Sequence, residues 1–218
     1  MSERNAVSRG LRPAVFLDRD GTICEEMGYL NHISRLQIFP FAARAIRRLN
    51  AAGLPVLVVT NQSGVSREMF PEALVREVHR RIDKAMAAAG ARIDGFYYCT
   101  HTRNDDCQCR KPLPGLLQQA AREHNLDLAK SFVVGDRYLD VELAHGVGGS
   151  GLLVLTGYGR GEYETHHAGW PRQPESVVED LSKAVAFILK RSGKEPPAGG
   201  RRGARKQLAR KMAKKARS

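Results

Sequence analysis

Residues 54–59, Leu-Pro-Val-Leu-Val-Val, constrain the fold of this chain more than any other stretch. They are apolar at successive positions, so as a strand they bury both faces, and only a sheet covered on two sides accommodates that. Four more short apolar runs, 14–17, 95–98, 131–134 and 151–155, read the same way. Between them lie segments with helical periodicity. Residues 41–52 stop at Gly53, and 71–90 keep Ala73, Leu74, Val78, Ile82, Ala85 and Met86 on a 3.6-residue period. Segments 114–123, 138–145 and 176–189 complete the helices. Strands alternating with helices predict an open α/β domain, a doubly wound parallel sheet with right-handed crossovers. The ligand of such a domain sits beyond the carboxyl ends of the strands, so reactive residues are expected directly after them.

At 218 residues, 42% hydrophobic and 27% charged, the chain suits one soluble domain plus a tail. Its net charge of +12 belongs to the C-terminus: residues 190–218 hold 12 Lys/Arg against the single acid Glu195, leaving 23 basic and 22 acidic side chains elsewhere. The expected division is an N-terminal extension at 1–12, a domain at 13–190 and a basic, disordered tail at 191–218. Residues 193–203 read as a Gly/Pro-rich linker, and Ala204, Leu208, Met212 and Ala216 make only a thin helical stripe. Contact of this tail with nucleic acid or an anionic surface is the alternative to plain solvation. No apolar run approaches the roughly 18 residues of a membrane span, and residues 1–13 lack the apolar core of a secretory signal. A cytoplasmic monomer is expected.

The strand ends are rich in oxygen ligands. Asp18-Arg19-Asp20-Gly21-Thr22 follows the first strand, Thr60-Asn61-Gln62-Ser63-Gly64 the second, and Gly135-Asp136-Arg137-Tyr138-Leu139-Asp140 the fourth. Any one of these reads equally well as a turn or a helix cap. Three on one rim of one sheet do not. Crowded carboxylates need a positive partner, either Lys111 or a divalent cation, and oxygen ligands open to a substrate suit Mg²⁺. Carboxylate nucleophile, hard cation, hydroxyl and lysine are the parts that phosphoryl transfer requires.

A second cluster holds Cys99, His101, Cys107 and Cys109 within eleven positions. Two ligand pairs joined by a short loop suit a tetrahedral cation with no open position, which points to structural Zn²⁺. A disulfide or reduced, unliganded cysteines are the rival readings, and a cytosolic location disfavours the first. The loop runs straight into Arg110-Lys111, so metal binding would fix where both cations point. Cys24 reads as packing. His32, His79, His124, His145, His166 and His167 read as surface or packing residues, and Trp170 as loop packing.

In order and spacing, Asp18 to Thr22, Thr60 to Gly64, Arg110-Lys111-Pro112 and Gly135-Asp136 through Asp140 resemble the four motifs of the haloacid dehalogenase phosphatases. The resemblance covers about residues 13–160. It implies a Rossmann-like core with a minimal cap and a zinc-bound loop at 99–109. It makes Asp18 the nucleophile of an aspartyl-phosphate intermediate and Asp20 the general acid and base. Thr60 and Lys111 would stabilise the phosphoryl group, and Mg²⁺ would be held by Asp18, the Asp20 carbonyl and Asp136. A Cys-x-His…Cys-x-Cys loop resembles one zinc-containing branch, which holds phosphatases of heptose 1,7-bisphosphate and of histidinol phosphate. Residues 16–23, 60–64, 109–115 and 156–159 resemble the heptose members more.

That resemblance implies removal of the 7-phosphate of the sugar, on the route to nucleotide-activated heptose for lipopolysaccharide. It also implies substrate contacts at Arg19, Glu26, Met27, Gly28, Tyr29, Asn61, Gln62, Ser63, Arg110 and Arg137. Three departures stand out. Arg137 replaces a common lysine, Ser66-Arg67-Glu68 a more usual Ala-Arg-Gly, and the loop 102–106 is short. Histidinol phosphate and a nucleic-acid 3′-phosphate remain open as substrates. A non-catalytic zinc and nucleic-acid binding module remains open as a different class.

Overall fold

The computed structural model of the protein describes residues 10–194. Most of the expected N-terminal extension and nearly all of the expected basic tail lie outside the described residues.

Successive residues of the first strand, β1 (Val15–Leu17), enter different cores. Val15 and Leu17 join one apolar cluster with Val56, Val58, Val134 and Leu152, while Ala14 and Phe16 join another with Leu57, Val59 and Val133. This is the two-sided burial that the unbroken apolar runs demand. The remaining strands are β2 (Val56–Asn61), β3 (Gly95–Cys99), β4 (Phe132–Gly135), β5 (Ser150–Val154) and β6 (Ser176–Val178). All pairings are parallel, in the order β3-β2-β1-β4-β5-β6. The first cluster is closed by α1 (Ala42–Ala51), α2 (Glu72–Ala88) and α6 (Leu181–Arg191). The second is closed by α3 (Gly115–His124) and α4 (Tyr138–Gly146).

The order of the sheet reverses between β1 and β4, and crevices in doubly wound sheets open at that switch point. Asp18 follows β1 and Asp136 follows β4, so the switch point is where the first and last acidic motifs meet. Their approach is fixed by backbone: the Asp18 N–H donates to the Val134 carbonyl at 2.9 Å.

Two assignments need correction. Residues 176–189 are not one helix. Ser176–Val178 pairs with β5, and Asp180 caps α6 by accepting from the Lys183 N–H at 3.0 Å. The apolar period ran through the boundary, but the β-branched Val177 and Val178 and the capping aspartate mark it. A helix also went unread, α5 (Gly159–His166), because it carries almost no apolar stripe to detect. Among the described residues no helix is long and apolar enough to cross a membrane.

Candidate active site

Asp18, Asp136 and Asp140 bring carboxylate oxygens within 4.8 Å of one another, all three buried. Lys111 is the cation among them. Its Nζ donates to Asp18 Oδ1 at 2.8 Å, Asp140 Oδ1 at 2.6 Å and the Val59 carbonyl at 3.0 Å. Burial works against the lysine's charge, yet Asp140 and Asp18 outweigh it and hold its pKa above the ordinary value. One ammonium does not neutralise three carboxylates. Burial, then repulsion from Asp18, pushes Asp136 up to about 9, and burial, then Asp18 against the opposing pull of Lys111, pushes Asp140 up to about 6.

Asp136 Oδ1 and Asp140 Oδ2 are buried without any hydrogen-bond partner. Asp136 Oδ2 accepts from the Tyr158 N–H at 2.8 Å. A side chain at Gly21 or at Gly157 would put its Cβ 2.1 Å from that same oxygen, and both glycines hold positive φ, +76° and +55°. The backbone is thus drawn in tightly around a carboxylate that has oxygen lone pairs to spare. Such a donor set fits a hard divalent cation.

Asp20 sits beside this cluster in a different environment. Burial alone would raise its pKa, but the Arg19 guanidinium lowers it below the usual range, with Gln62 adding a hydrogen bond. Gln62 Nε2 donates to Asp20 Oδ2 and to Thr60 Oγ1, each at 2.9 Å. Since the Thr60 oxygen accepts that bond, its own hydrogen is left to point elsewhere.

The crevice above these groups has a volume of about 740 Å³. Glu26, Gly28, Tyr29, Ser63, Arg110 and Arg137 line it, as expected; Arg67, Arg103 and Tyr158 line it too and were not anticipated. Burial and the nearby Asp20 push Glu26 up to about 7. Arg19, Asn61 and Gln62 line it as well, with polar groups that also bond within the protein. Met27 does not line the crevice; its carbonyl accepts from Arg35 and from the Tyr29 N–H. Arg19 is buried, and its guanidinium donates to Asp20 and Gln62. Gln62 is occupied by that same network, and Asn61 clasps the backbone of Lys111. Polar residues at strand ends announce a site, but not which of them face outward.

Cys99, His101, Cys107 and Cys109 offer four ligand atoms within 4.8 Å. With Zn–S near 2.3 Å and Zn–N near 2.05 Å, a tetrahedron has S···S edges of about 3.8 Å and S···N edges of about 3.5 Å. The observed separations are 3.9 Å for Cys99 Sγ to Cys107 Sγ, 3.5 Å for Cys99 Sγ to His101 Nδ1 and 3.3 Å for His101 Nδ1 to Cys109 Sγ. The four atoms fit such a cation, and all the cysteines are free of disulfides. Arg110 Nη1 donates to the His101 carbonyl at 2.9 Å, so the loop does hold a crevice-lining arginine in place.

Sequence comparison matches residues 108–184 to the family model described as HAD-hydrolase-like, and residues 15–139 to the one described as polynucleotide kinase 3 phosphatase. Together with the parallel sheet and the carboxylate crevice at its switch point, this defines a phosphatase of the haloacid dehalogenase class. The D-glycero-D-manno-heptose-1,7-bisphosphate 7-phosphatase of Thermosynechococcus vestitus is 40% identical over 192 residues, 81% of this chain and 95% of that protein. This chain belongs to the family of the heptose-bisphosphate phosphatases. The D-glycero-beta-D-manno-heptose-1,7-bisphosphate 7-phosphatase of Pasteurella multocida is 38% identical, covering 82% of this chain and 92% of its own length. Among solved structures, the D,D-heptose 1,7-bisphosphate phosphatase of B. bronchiseptica, complexed with magnesium and phosphate, superposes with a TM-score of 0.75 at 33% identity, over 82% of this chain and 99% of that one.

Proposed function

We propose that the chain hydrolyses the 7-phosphate of a D-glycero-D-manno-heptose 1,7-bisphosphate, through a phosphoryl group carried transiently on Asp18. The observation that carries the chemistry is the convergence of Asp18, Asp20, Thr60 and Lys111 on one crevice; the substrate is supported by the relatives' names. Lys111 occupies Asp18 Oδ1, which leaves Oδ2 to attack phosphorus. The bond to the sugar oxygen breaks, and Asp20, an anion in the free protein, takes up a proton from solvent as the dianionic phosphate arrives and gives it to that oxygen. Asp20, then an anion as its Arg19 partner favours, takes a proton from the water that releases phosphate from Asp18. Thr60 and Lys111 hold the phosphoryl oxygens throughout.

A divalent cation such as Mg²⁺, held by Asp18, Asp136 and the Asp20 carbonyl, supplies charge that offsets the phosphoryl oxygens. Zn²⁺ on Cys99, His101, Cys107 and Cys109 holds the loop that carries Arg110 and Lys111. Glu26, Gly28, Tyr29, Ser63, Arg110 and Arg137 receive the rest of the sugar phosphate. Residues 13–190 form the phosphatase domain in this reading.

The second family match favours one rival, a nucleic-acid 3′-phosphate. Phosphate release with Mg²⁺ from both anomers of heptose 1,7-bisphosphate, from histidinol phosphate and from a 3′-phosphorylated oligonucleotide separates the readings. A preference for a heptose anomer of about a hundredfold, some 2.7 kcal/mol in transition-state binding, is expected. Equal or better turnover of either other substrate would overturn the assignment.

A further inference from the structure

Arg19 is the bulkiest fully buried side chain of the described residues, 1% exposed. A buried guanidinium must find acceptors for its N–H groups. Nε donates to both Asp20 oxygens at 3.1 Å, and Nη2 donates to Asp20 Oδ2 at 2.7 Å and to Gln62 Oε1 at 2.9 Å. The remaining nitrogen, Nη1, meets His79 Nε2 at 3.5 Å and no other acceptor among the described residues. His79 projects inward from α2 and is 6% exposed. Its ring stacks on Phe96, with centroids 4.8 Å apart and planes 22° apart, and meets the edge of Tyr98 at 5.4 Å.

An arginine has no acceptor atom, so this contact is a hydrogen bond only if His79 keeps a lone pair on Nε2 and its hydrogen on Nδ1. The surroundings agree. Burial, then the charge of Arg19, pushes His79 down to about 3 against the weaker pull of Asp20, which keeps the ring neutral. Beyond Tyr98, Glu72 Oε1 accepts from the Tyr98 hydroxyl at 2.6 Å and from Arg76 Nη1 at 2.7 Å. A residue wanted only for packing between Val75, Val78 and Ile82 would need no nitrogen there.

We propose that His79 is a positioning residue: its Nε2 lone pair sets the rotation of the Arg19 guanidinium, whose fork in turn aims the Asp20 carboxylate into the crevice. The proposal rests on the reading of Asp20 as proton donor and acceptor.

Two variants separate positioning from packing. His79→Phe keeps the ring and its stack on Phe96 but removes the acceptor. His79→Gln loses the ring but puts an oxygen where Nε2 stood. With saturating sugar bisphosphate and Mg²⁺, kcat of His79→Phe should fall about tenfold or more with KM unchanged, while His79→Gln stays within about threefold of wild type despite a lower Tm. Wild-type kcat in His79→Phe, or a larger kcat loss in His79→Gln than in His79→Phe, would overturn the proposal. Nitrogen-15 spectra of the wild-type protein decide the same point whether or not the variants fold. The neutral Nδ1–H tautomer is expected across pH 5.5 to 8, and an Nε2–H tautomer would sink the idea. That measurement needs no turnover, so a protein inactive on sugar bisphosphates would refute the substrate reading alone.

Discussion

Asn61 and Lys111, 50 positions apart in the chain, exchange two hydrogen bonds: Asn61 Nδ2 donates to the Lys111 carbonyl at 3.2 Å, and the Lys111 N–H donates to Asn61 Oδ1 at 3.0 Å. The amide at the end of β2 thus clips the cation-bearing loop onto the sheet, while the lysine's own Nζ reaches back to Asp18 and Asp140. Two bonds of about 0.5–1.5 kcal/mol each hold the loop in register. Asn61→Ala should therefore lower kcat by roughly 10- to 100-fold with the fold retained. Asn61→Asp, which can accept but not donate, should fall between. Steady-state kinetics on the two variants checks this, and unchanged kcat in Asn61→Ala would make the clip irrelevant to the reaction.

Asp18 has two effects that one substitution separates. In the proposed reaction it is the nucleophile, so Asp18→Asn should cut turnover by about 10³-fold or more. As a buried charge it repels Asp136 and Asp140, and its removal should raise the melting temperature of the magnesium-free protein. Activity and thermal melts on one preparation test both. A variant that is inactive but also less stable would mean that the Lys111 pairing outweighs the repulsion.

Much of this site is legible before any coordinates because strand ends are short and ordered. An apolar run followed at once by Asp-x-Asp, by Thr-Asn-Gln-Ser, or by Gly-Asp fixes where each group leaves the sheet, and a parallel sheet collects those exits on one rim. The Cys and His cluster is equally local. What the chain hides is direction and partnership. Arg19 and Asn61 carry polar groups that look ready for a ligand, yet one turns inward to Asp20 and the other clasps Lys111. His79 lies on the buried face of α2, three positions from Ile82 and four from Val75, which agrees with the packing reading. The acceptor role depends on Arg19, 60 positions away, which no local pattern reports. Residues 176–178 were misread for a similar reason, since a strand at a sheet's edge declares itself only through its partner.

Removing the metal from the Cys/His cluster should damage catalysis from a distance. The loop holds Arg110 through the His101 carbonyl and leads directly into Lys111. Cys107→Ser should lower bound zinc, lower Tm by about 5 °C or more, and reduce kcat. Elemental analysis, thermal melts and phosphate release on the same sample check the three together. Full activity in a zinc-free, folded protein would refute the link between loop and crevice.

Stability should also report the carboxylate cluster through its dependence on pH and Mg²⁺. Asp136 and Asp140 are pushed up to about 9 and about 6, above the range near 4 of unfolded carboxylates. A group raised in this way contributes its stability in full below about pH 4 and loses it as the pH climbs through the folded-state values. The magnesium-free protein should therefore be progressively penalised between about pH 4 and 9, most steeply up to about pH 6 where both groups contribute. In the proposed site Mg²⁺ would bind the deprotonated cluster and cancel that penalty, so the rise in Tm on adding Mg²⁺ should be small near pH 5.5 and grow steadily towards pH 9. His79, pushed down to about 3, acts in the opposite sense: its contribution is present above about pH 6.5 and is lost as the pH falls towards 3, with or without Mg²⁺. Melts across that range with and without the metal separate the two effects, because only the carboxylate part should differ between the paired curves. A Tm difference independent of pH would mean that the cation does not bind at this carboxylate cluster.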